Sequence, residues 1–259
     1  LLGWNDVSAR THVEVGLAHP IKLLVNALGA PPKDVVDQAH AHGVKVAALV
    51  GRVDQALKQK ENGVDIIVAQ GTEAGGHTGE VSTLVLVPEI VAAVGDTPVL
   101  AAGGIGCGRQ AAAALALGAE GVWTGSIWLT VAESDTVPPL KEKMLKAASR
   151  DTVRSRAMTG KPARLLRTPW TDAWDDEHNP KPLQMPLQFM ATADAVSRVH
   201  KYAHVQESGA KDLIWSPVGQ IVGRMNEERP TKDVIYDMVN EFLDATNRLQ
   251  DILAAAEKE

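Results

Sequence analysis

The ionisable side chain of His77 stands in the middle of the glycine-rich segment AQGTEAGGHTGE, which covers residues 69–80. The segment follows a β-rich apolar run at 64–69, and the connection to the next helical pattern takes some fourteen residues, 70–83. A strand and a helix are usually joined by about two to six residues. Long glycine-rich loops at the carboxyl ends of parallel strands concentrate binding residues. The segment is therefore predicted to form one wall of a site.

The residue types in this loop suit hydrogen bonding and proton transfer. Gln70 can donate and accept hydrogen bonds through its amide. Gly75 and Gly76 would let a planar group lie directly against the backbone. His77 can accept a proton or donate a hydrogen bond near neutral pH, which makes it the candidate catalytic residue. A histidine in an ordinary surface turn is the alternative interpretation.

Two further glycine turns follow later strands and suit an anion. Gly103 and Gly104 allow close approach of the backbone, and a helix predicted to begin near Gly108 offers free N–H groups and the positive end of its dipole. Gly125 and Ser126 supply similar donors from the next turn. One such turn alone is more often only a tight turn. Two on consecutive strand–helix units predict a phosphate site.

The elements that position these turns are short apolar strands alternating with helices. The runs are near-continuously apolar, which is typical of parallel strands covered on both faces. Proline before and glycine after most of the helical segments supports the helix assignment. Strands are predicted at 21–28, 45–50, 64–69, 98–102 and 121–129, and helices at 34–42, 52–61, 88–94, 109–117 and 232–257.

This alternation predicts an α/β fold, either a doubly wound sheet or a TIM (β/α)8-type barrel. The segment AAGGIGCGRQ, residues 101–110, does not have the G-x-G-x-x-G spacing of a doubly wound nucleotide site. A barrel instead holds phosphate in the loops after its last two strands, where the glycine turns lie, so the barrel is favoured. About five strand–helix units are visible, and the three remaining strands are expected before residue 1.

Three regions are predicted along the chain. Residues 1–130 form a partial TIM-barrel, the cofactor-binding domain. Residues 131–230 hold most of the fourteen prolines and form an irregular or helical cap over the substrate. Residues 231–259 form a long amphipathic helix that packs on the barrel.

Composition limits the classes of partner. The 259 residues carry a net charge of −6, which argues against a nucleic-acid partner, and no apolar stretch is long enough for a membrane span. One cysteine fits a reducing compartment, so a cytoplasmic location is expected. The one locally basic segment, RSRAMTGKPAR at 154–164, could steer an anionic substrate or be solvated, and solvation is slightly favoured.

Other polar residues are weaker candidates. His200 and His204 are four residues apart but lack a third ligand, so no metal site is expected. Cys107 is interpreted as a small residue in a turn rather than a nucleophile. Glu73 and Glu80 are expected to be solvated or orienting rather than catalytic.

Four segments resemble the nitronate monooxygenase family, formerly called 2-nitropropane dioxygenases. They are AQGTEAGGHTGE, PVLAAGGIGCGRQAAAALALGAEGVWTGS, RAMTGKPAR and SPVGQIVG. The resemblance implies an FMN-dependent TIM barrel with an added helical domain. It also implies oxidation of alkyl nitronates by O2 to a carbonyl compound and nitrite, without a nicotinamide cofactor. Small-molecule partners, the nitronate and O2, are thus expected, and the tryptophan-rich cap is compatible with a homo-oligomer.

The resemblance also implies roles for particular residues. His77 would be the active-site histidine beside the substrate. The residues expected to bind FMN are Gln70, Gly75, Gly76, Gly103, Gly104, Gly125, Ser126, Gly219 and Gln220, with the phosphate at 103–104 and 125–126. Two alternatives stay open: a flavin- and NAD(P)H-dependent enoyl-thioester reductase on the same barrel, and a phosphate- or nucleotide-binding fragment without redox activity.

Overall fold

The computed structural model of the protein describes residues 6–256, in which helices and strands alternate through the first half of the chain. In chain order the elements are α1 (Asp6–Leu17), β1 (Leu23–Asn26), α2 (Lys33–Ala41), β2 (Lys45–Val50), α3 (Val53–Glu61), β3 (Ile66–Gln70), β4 (Gly76–His77), α4 (Thr83–Val94), β5 (Val99–Ala102), α5 (Gly108–Ala116), β6 (Gly121–Trp123), α6 (Pro138–Lys146), β7 (Thr152–Ser155), β8 (Ala163–Leu166), α7 (Pro169–Asp175), α8 (Leu187–Tyr202), α9 (Ala210–Leu213) and α10 (Thr231–Ala256). Short 3₁₀ helices lie at Ser126–Leu129, Ser149–Asp151, Gln206–Ser208 and Gln220–Arg224.

The main sheet contains five parallel strands in the order β1-β2-β3-β5-β6. Each strand pairs with the one before it, for example through Ala47 opposite Ile66 and Ala69 opposite Ala101. A doubly wound sheet would reverse its strand order at a switch point. The unbroken order is that of a TIM barrel, in which every strand neighbours the next. The structure therefore confirms the barrel prediction, and the five strands form an arc of it.

Both faces of this arc are covered, which explains why its strands are apolar throughout. Ile67 and Val46 face the helices and join a large core with Leu86 and Ile90 of α4. Alternate residues, such as Val68, form a smaller apolar cluster on the opposite face. A residue period of two therefore divides each strand between two apolar environments rather than between core and water.

Several predicted boundaries differ from the structure. The strand predicted at 121–129 ends at Trp123, because Gly125 leaves the extended conformation (φ −128°, ψ −65°) and a 3₁₀ turn follows. The helix predicted from residue 88 begins five residues earlier, at Thr83, and carries Pro88 in its interior. The helix α1 was not predicted.

The segment 131–230 is more regular than its proline content indicates. It contains the 16-residue helix α8 and the strands β7 and β8, which belong to an antiparallel sheet in the order β4-β8-β7. Strand β4 belongs to the loop at 70–83, so this small sheet joins the loop to the cap. A second apolar core, which includes Met144 and Ile214, lies within the cap.

The helix α10 packs on α5 at one close contact. A Cβ on Gly108 would collide with the backbone of Met238 and Phe242, and the Gly108 N–H donates to Glu241 Oε2 at 3.0 Å. Several apolar side chains of α10 are exposed, including Tyr236 at 67% and Leu253 at 66%.

Candidate functional site

The loop that carries His77 is held rigidly by the cap. Gly76 pairs with Arg164 and His77 pairs with Ala163 in the small antiparallel sheet. The Arg164 side chain is buried; its Nε donates to the Thr72 carbonyl at 2.8 Å and its Nη1 to Thr152 Oγ1 at 3.1 Å. The expectation that this basic segment is solvated is thus wrong for Arg164, which fixes the loop to the cap.

Glu73 holds the end of the loop, where α4 begins at Thr83. Its carboxylate accepts hydrogen bonds from the Thr83 N–H at 3.0 Å and the Thr83 hydroxyl at 2.9 Å, so it caps the start of α4. Thr83 Oγ1 also lies 2.9 Å from the Gly103 carbonyl oxygen. Glu73 therefore orients the loop. Glu80 remains 85% exposed, with an ion pair to Arg154 at 3.7 Å.

A segment after the cap, residues 217–220, lies directly against this loop. A Cβ on Gly75 would come within 2.7 Å of the Gly219 nitrogen and of the Val218 carbonyl carbon. The Gln220 N–H donates to the Glu73 carbonyl at 2.9 Å, and the Gly219 N–H donates to Ser126 Oγ at 2.8 Å. Gly75 is thus required by chain packing.

Most of the predicted cofactor residues surround one cavity of about 300 Å³, which we call the glycine cavity. It lies at the carboxyl ends of β3, β5 and β6. Its lining includes seven of the predicted residues, namely Gln70, Gly75, Gly103, Gly104, Gly125, Ser126 and Gly219, and also Ala74, Ala102, Ile105, Trp123, Thr124, Leu129, Pro217 and Ile221.

The glycines of this cavity are present for different reasons. Gly103 and Gly104 have φ angles of +100° and +71°, and a Cβ on Gly103 would come within 3.0 Å of the Gly71 carbonyl oxygen. These two residues are required by the turn itself. A Cβ on Gly125, in contrast, would meet no protein atom within 4 Å. The open space at Gly125 is therefore available to a ligand.

Backbone donors are free at the same turns. Among the hydrogen bonds within residues 6–256, none uses the backbone N–H of Gly104, Gly125 or Ser126. The helix start predicted near Gly108 is not free: the Gly108 N–H donates to Glu241 Oε2, and neither Cys107 nor Gly108 lines this cavity. Free backbone N–H groups at glycine turns are a feature that binds phosphate in proteins.

A second, larger cavity of about 770 Å³ adjoins the first, and we call it the histidine cavity. Gln70 lines both cavities, so the two share a boundary. Besides Gln70, the charged and polar side chains of the histidine cavity are those of Arg52, Asp54, Gln55, Lys58, Gln59, His77, Thr78, Glu80, Arg154 and Lys161.

His77 is half-buried, and one of its ring nitrogens is fixed. Nε2 lies 2.7 Å from the hydroxyl oxygen of Thr159, a residue that is only 3% exposed. Burial, and next the positive charge of Lys161, lower the pKa of His77 from its ordinary value. The ring is therefore neutral near pH 7 and can exchange a hydrogen bond with a ligand.

Two predicted residues lie outside the glycine cavity. Gly76 adopts a φ of +80° in the loop, so glycine suits the backbone conformation there. Gln220 lines an adjacent cavity of about 400 Å³ that also borders Gly103 and Gly104. Residues that sequence reasoning missed are Thr159 and Trp123. Thr159 is 82 residues from His77, and only folding brings the two together.

The remaining candidates lie away from these cavities. His200 and His204 are both exposed. Within the described part of the chain, no group of three or more histidine, cysteine, aspartate or glutamate residues could hold a metal ion. Cys107 is buried at the start of α5, with Sγ 3.4 Å from Gln110 Oε1. Of the helices between residues 6 and 256, none has the length and apolar character that crossing a membrane requires.

Parallel strands in unbroken order define a fold of the TIM-barrel type. Its glycine turns, histidine loop and two cavities lie at the carboxyl ends of the strands, where TIM barrels carry their sites. Residues 4–241 match the model of the nitronate monooxygenase family, and the chain belongs to that family. This confirms the resemblance inferred from the four sequence segments.

Individual relatives agree with this assignment. A Mycobacterium tuberculosis protein, provisionally named a monooxygenase, is 55% identical over 241 residues, which are 93% of this chain and 64% of that protein. A Bacillus subtilis protein named a probable nitronate monooxygenase is 30% identical over 92% of this chain and 68% of its own length. This chain therefore spans about two thirds of the length of these relatives.

Two solved structures are similar to this chain over most of its length. A nitroalkane oxidase from Streptomyces ansochromogenes has a TM-score of 0.81 and 28% identity, over 94% of this chain and 70% of that one. FabK from Thermotoga maritima has a TM-score of 0.79 and 33% identity, over 97% of this chain and 76% of that one.

Proposed function

We propose that this protein binds FMN in the glycine cavity and oxidises small alkyl nitronates with O2 to a carbonyl compound and nitrite. The observation that carries the proposal is the position of Gln70, which lines both the glycine cavity and the histidine cavity. A cofactor in the first cavity and a substrate beside His77 in the second would then be neighbours. Membership of the nitronate monooxygenase family supports this reaction class.

The donor set of the glycine cavity fits the phosphate of FMN. The free N–H groups of Gly104, Gly125 and Ser126 can donate to phosphate oxygens. The open space beside Gly125 leaves room for an anion at the backbone. Gly103 and Gly219 were also predicted to bind FMN. In this proposal Gly103 shapes the turn and Gly219 forms part of the cavity wall.

The rest of FMN has suitable surroundings in the same cavity. Gln70 offers an amide that can donate to or accept from the polar edge of a flavin ring, and Gly75 lies in the cavity wall. Gly76 and Gln220 are placed beside the cavity and would support its walls. Bound FMN would supply the redox chemistry and the reaction with O2, which no side chain of the site supplies.

The histidine cavity suits an anionic substrate. A nitronate carries its negative charge on the nitro oxygens, and Arg154 and Lys161 lie in the lining of this cavity. Their positive charges would attract the anion, in part opposed by Glu80. His77 would donate a hydrogen bond to a nitronate oxygen, or accept a proton if a neutral nitroalkane is the substrate.

Replacement of His77 tests this assignment. A His77→Asn variant should lose roughly 10- to 150-fold in kcat/KM for an alkyl nitronate, which corresponds to the loss of one hydrogen bond to a charged group, about 1.5–3 kcal/mol. Its FMN content should match the wild type, because His77 does not line the glycine cavity. His204→Asn, which changes an exposed histidine, is the matched control. Wild-type turnover by His77→Asn would refute the role of His77.

A further inference from the structure

The hydroxyl of Thr159 has two hydrogen-bond partners in the structure, and they are not equivalent. The Lys161 backbone N–H donates to Thr159 Oγ1 at 3.3 Å, and His77 Nε2 lies 2.7 Å from the same oxygen. A backbone N–H can only donate, whereas a neutral histidine nitrogen either donates or accepts. The direction of the second hydrogen bond therefore decides which His77 nitrogen carries the proton.

The burial of Thr159 decides this direction. Its side chain is only 3% exposed, so its hydroxyl proton has little access to water. Among the hydrogen bonds of residues 6–256, His77 Nε2 is the one acceptor within reach of that proton. If Nε2 carried a proton and donated instead, the hydroxyl would be a buried donor without an acceptor, which is unfavourable.

We infer that Thr159 is a positioning residue that donates its hydroxyl proton to His77 Nε2 and thereby holds the neutral ring in the Nδ1–H tautomer. Nδ1 has no partner within the described residues, and His77 lines the histidine cavity. Nδ1–H is thus the group left for a substrate. This inference rests on the proposed function. It resolves the choice left open there, because an Nδ1–H group donates to an anion and cannot accept a proton.

The tautomer can be read directly by two-bond ¹H–¹⁵N NMR of the purified protein labelled with ¹⁵N-histidine. The unprotonated ring nitrogen resonates far downfield, and Nε2 is identified by its correlations to both carbon-bound ring protons. Spectra are recorded about two pH units above the ordinary histidine pKa, so that the ring is neutral. The His77→Asn variant assigns the His77 signals by their disappearance.

The expected result is a downfield Nε2 in the wild type, and a mixture of tautomers in Thr159→Val. Thr159→Ser restores the hydroxyl and should restore the wild-type pattern. Thr192→Val removes a hydroxyl that is 4% exposed and bonded to the Gln188 carbonyl, so it is the matched control and should leave His77 unchanged. A downfield Nδ1 in the wild type would overturn the inference, even if Thr159→Val failed to fold.

Kinetics separate this inference from the proposed function. If about one tenth to one half of the His77 rings in Thr159→Val keep the competent tautomer, kcat/KM for a nitronate should fall about two- to tenfold. FMN content and kcat/KM of Thr159→Ser should stay at wild-type levels. A wild type that shows the Nδ1–H tautomer but no nitronate turnover would contradict only the proposed function. Nitronate turnover with the Nε2–H tautomer would contradict only the role of Thr159.

Discussion

The substitution Gly125→Ala separates the requirements of the fold from those of the cofactor. A Cβ at this position would meet no protein atom within 4 Å, and the φ of −128° is accessible to an L-residue. Replacing glycine by alanine at such a position changes stability by roughly 0.4–1 kcal/mol, chiefly through the unfolded chain. The free energy of unfolding should therefore stay within about 1 kcal/mol of the wild type.

Binding of FMN should respond much more strongly to the same substitution. The added methyl group would occupy the space at the turn where we place the phosphate. Overpacking of a well-fitted site costs about 1–3 kcal/mol. That corresponds to a rise in the Kd for FMN of about 5- to 150-fold.

The assay is a titration of the flavin-free protein with FMN, followed by flavin fluorescence, beside urea unfolding of each variant. Gly75→Ala is the control, because its Cβ would collide with the backbone at Val218 and Gly219, so it should lose stability as well as affinity. If Gly125→Ala is stable and binds FMN as tightly as the wild type, the phosphate does not lie at Gly125.

Three further predictions concern the histidine loop. Lys161→Gln should raise the pKa of His77 without restoring the ordinary value, since the larger cause, burial, remains; NMR titration measures this. Because the folded protein holds the pKa of His77 below its unfolded value, the free energy of unfolding should decrease as pH falls below about 6.5. His77→Asn should flatten that decrease in urea unfolding, and an unchanged slope would argue against a buried neutral ring. Glu73→Ala should cost about 1–2 kcal/mol by loss of the α4 cap, whereas Glu80→Ala, exposed, should cost less than about 0.5 kcal/mol.

The sequence predicted the barrel and the neighbourhood of the site because both depend on local patterns. Apolar runs bounded by proline and glycine located all five strands of the main sheet to within a few residues, except at the end of β6. The glycine turns follow β5 and β6, so their meeting at one cavity follows from parallel strand order. The placement of Gln70 and His77 at the same edge of the sheet follows from the same reasoning, because their loop comes directly after β3.

The contacts between distant segments could not be predicted in this way. Strand β4 has only two residues and exists because β8 pairs with it, with Gly76 opposite Arg164 and His77 opposite Ala163. These partners are far apart in the sequence, so no local pattern indicates the strand. Arg164 and Thr159 lie in the basic segment that was expected to be solvated, yet both residues are buried. Likewise, Gly75 suggests room for a cofactor, whereas the backbone at Val218 and Gly219 is what requires it.

The most direct test of the proposed reaction is anaerobic mixing of the FMN-loaded protein with an alkyl nitronate in a stopped-flow spectrophotometer, and separately with NADH. The proposal predicts rapid loss of the visible flavin absorbance with the nitronate, its return when O2 is admitted, and no comparable change with NADH. Loss of absorbance with NADH but not with the nitronate would contradict the proposal and favour an NAD(P)H-dependent reductase. A protein that takes up no FMN would contradict it at the first step.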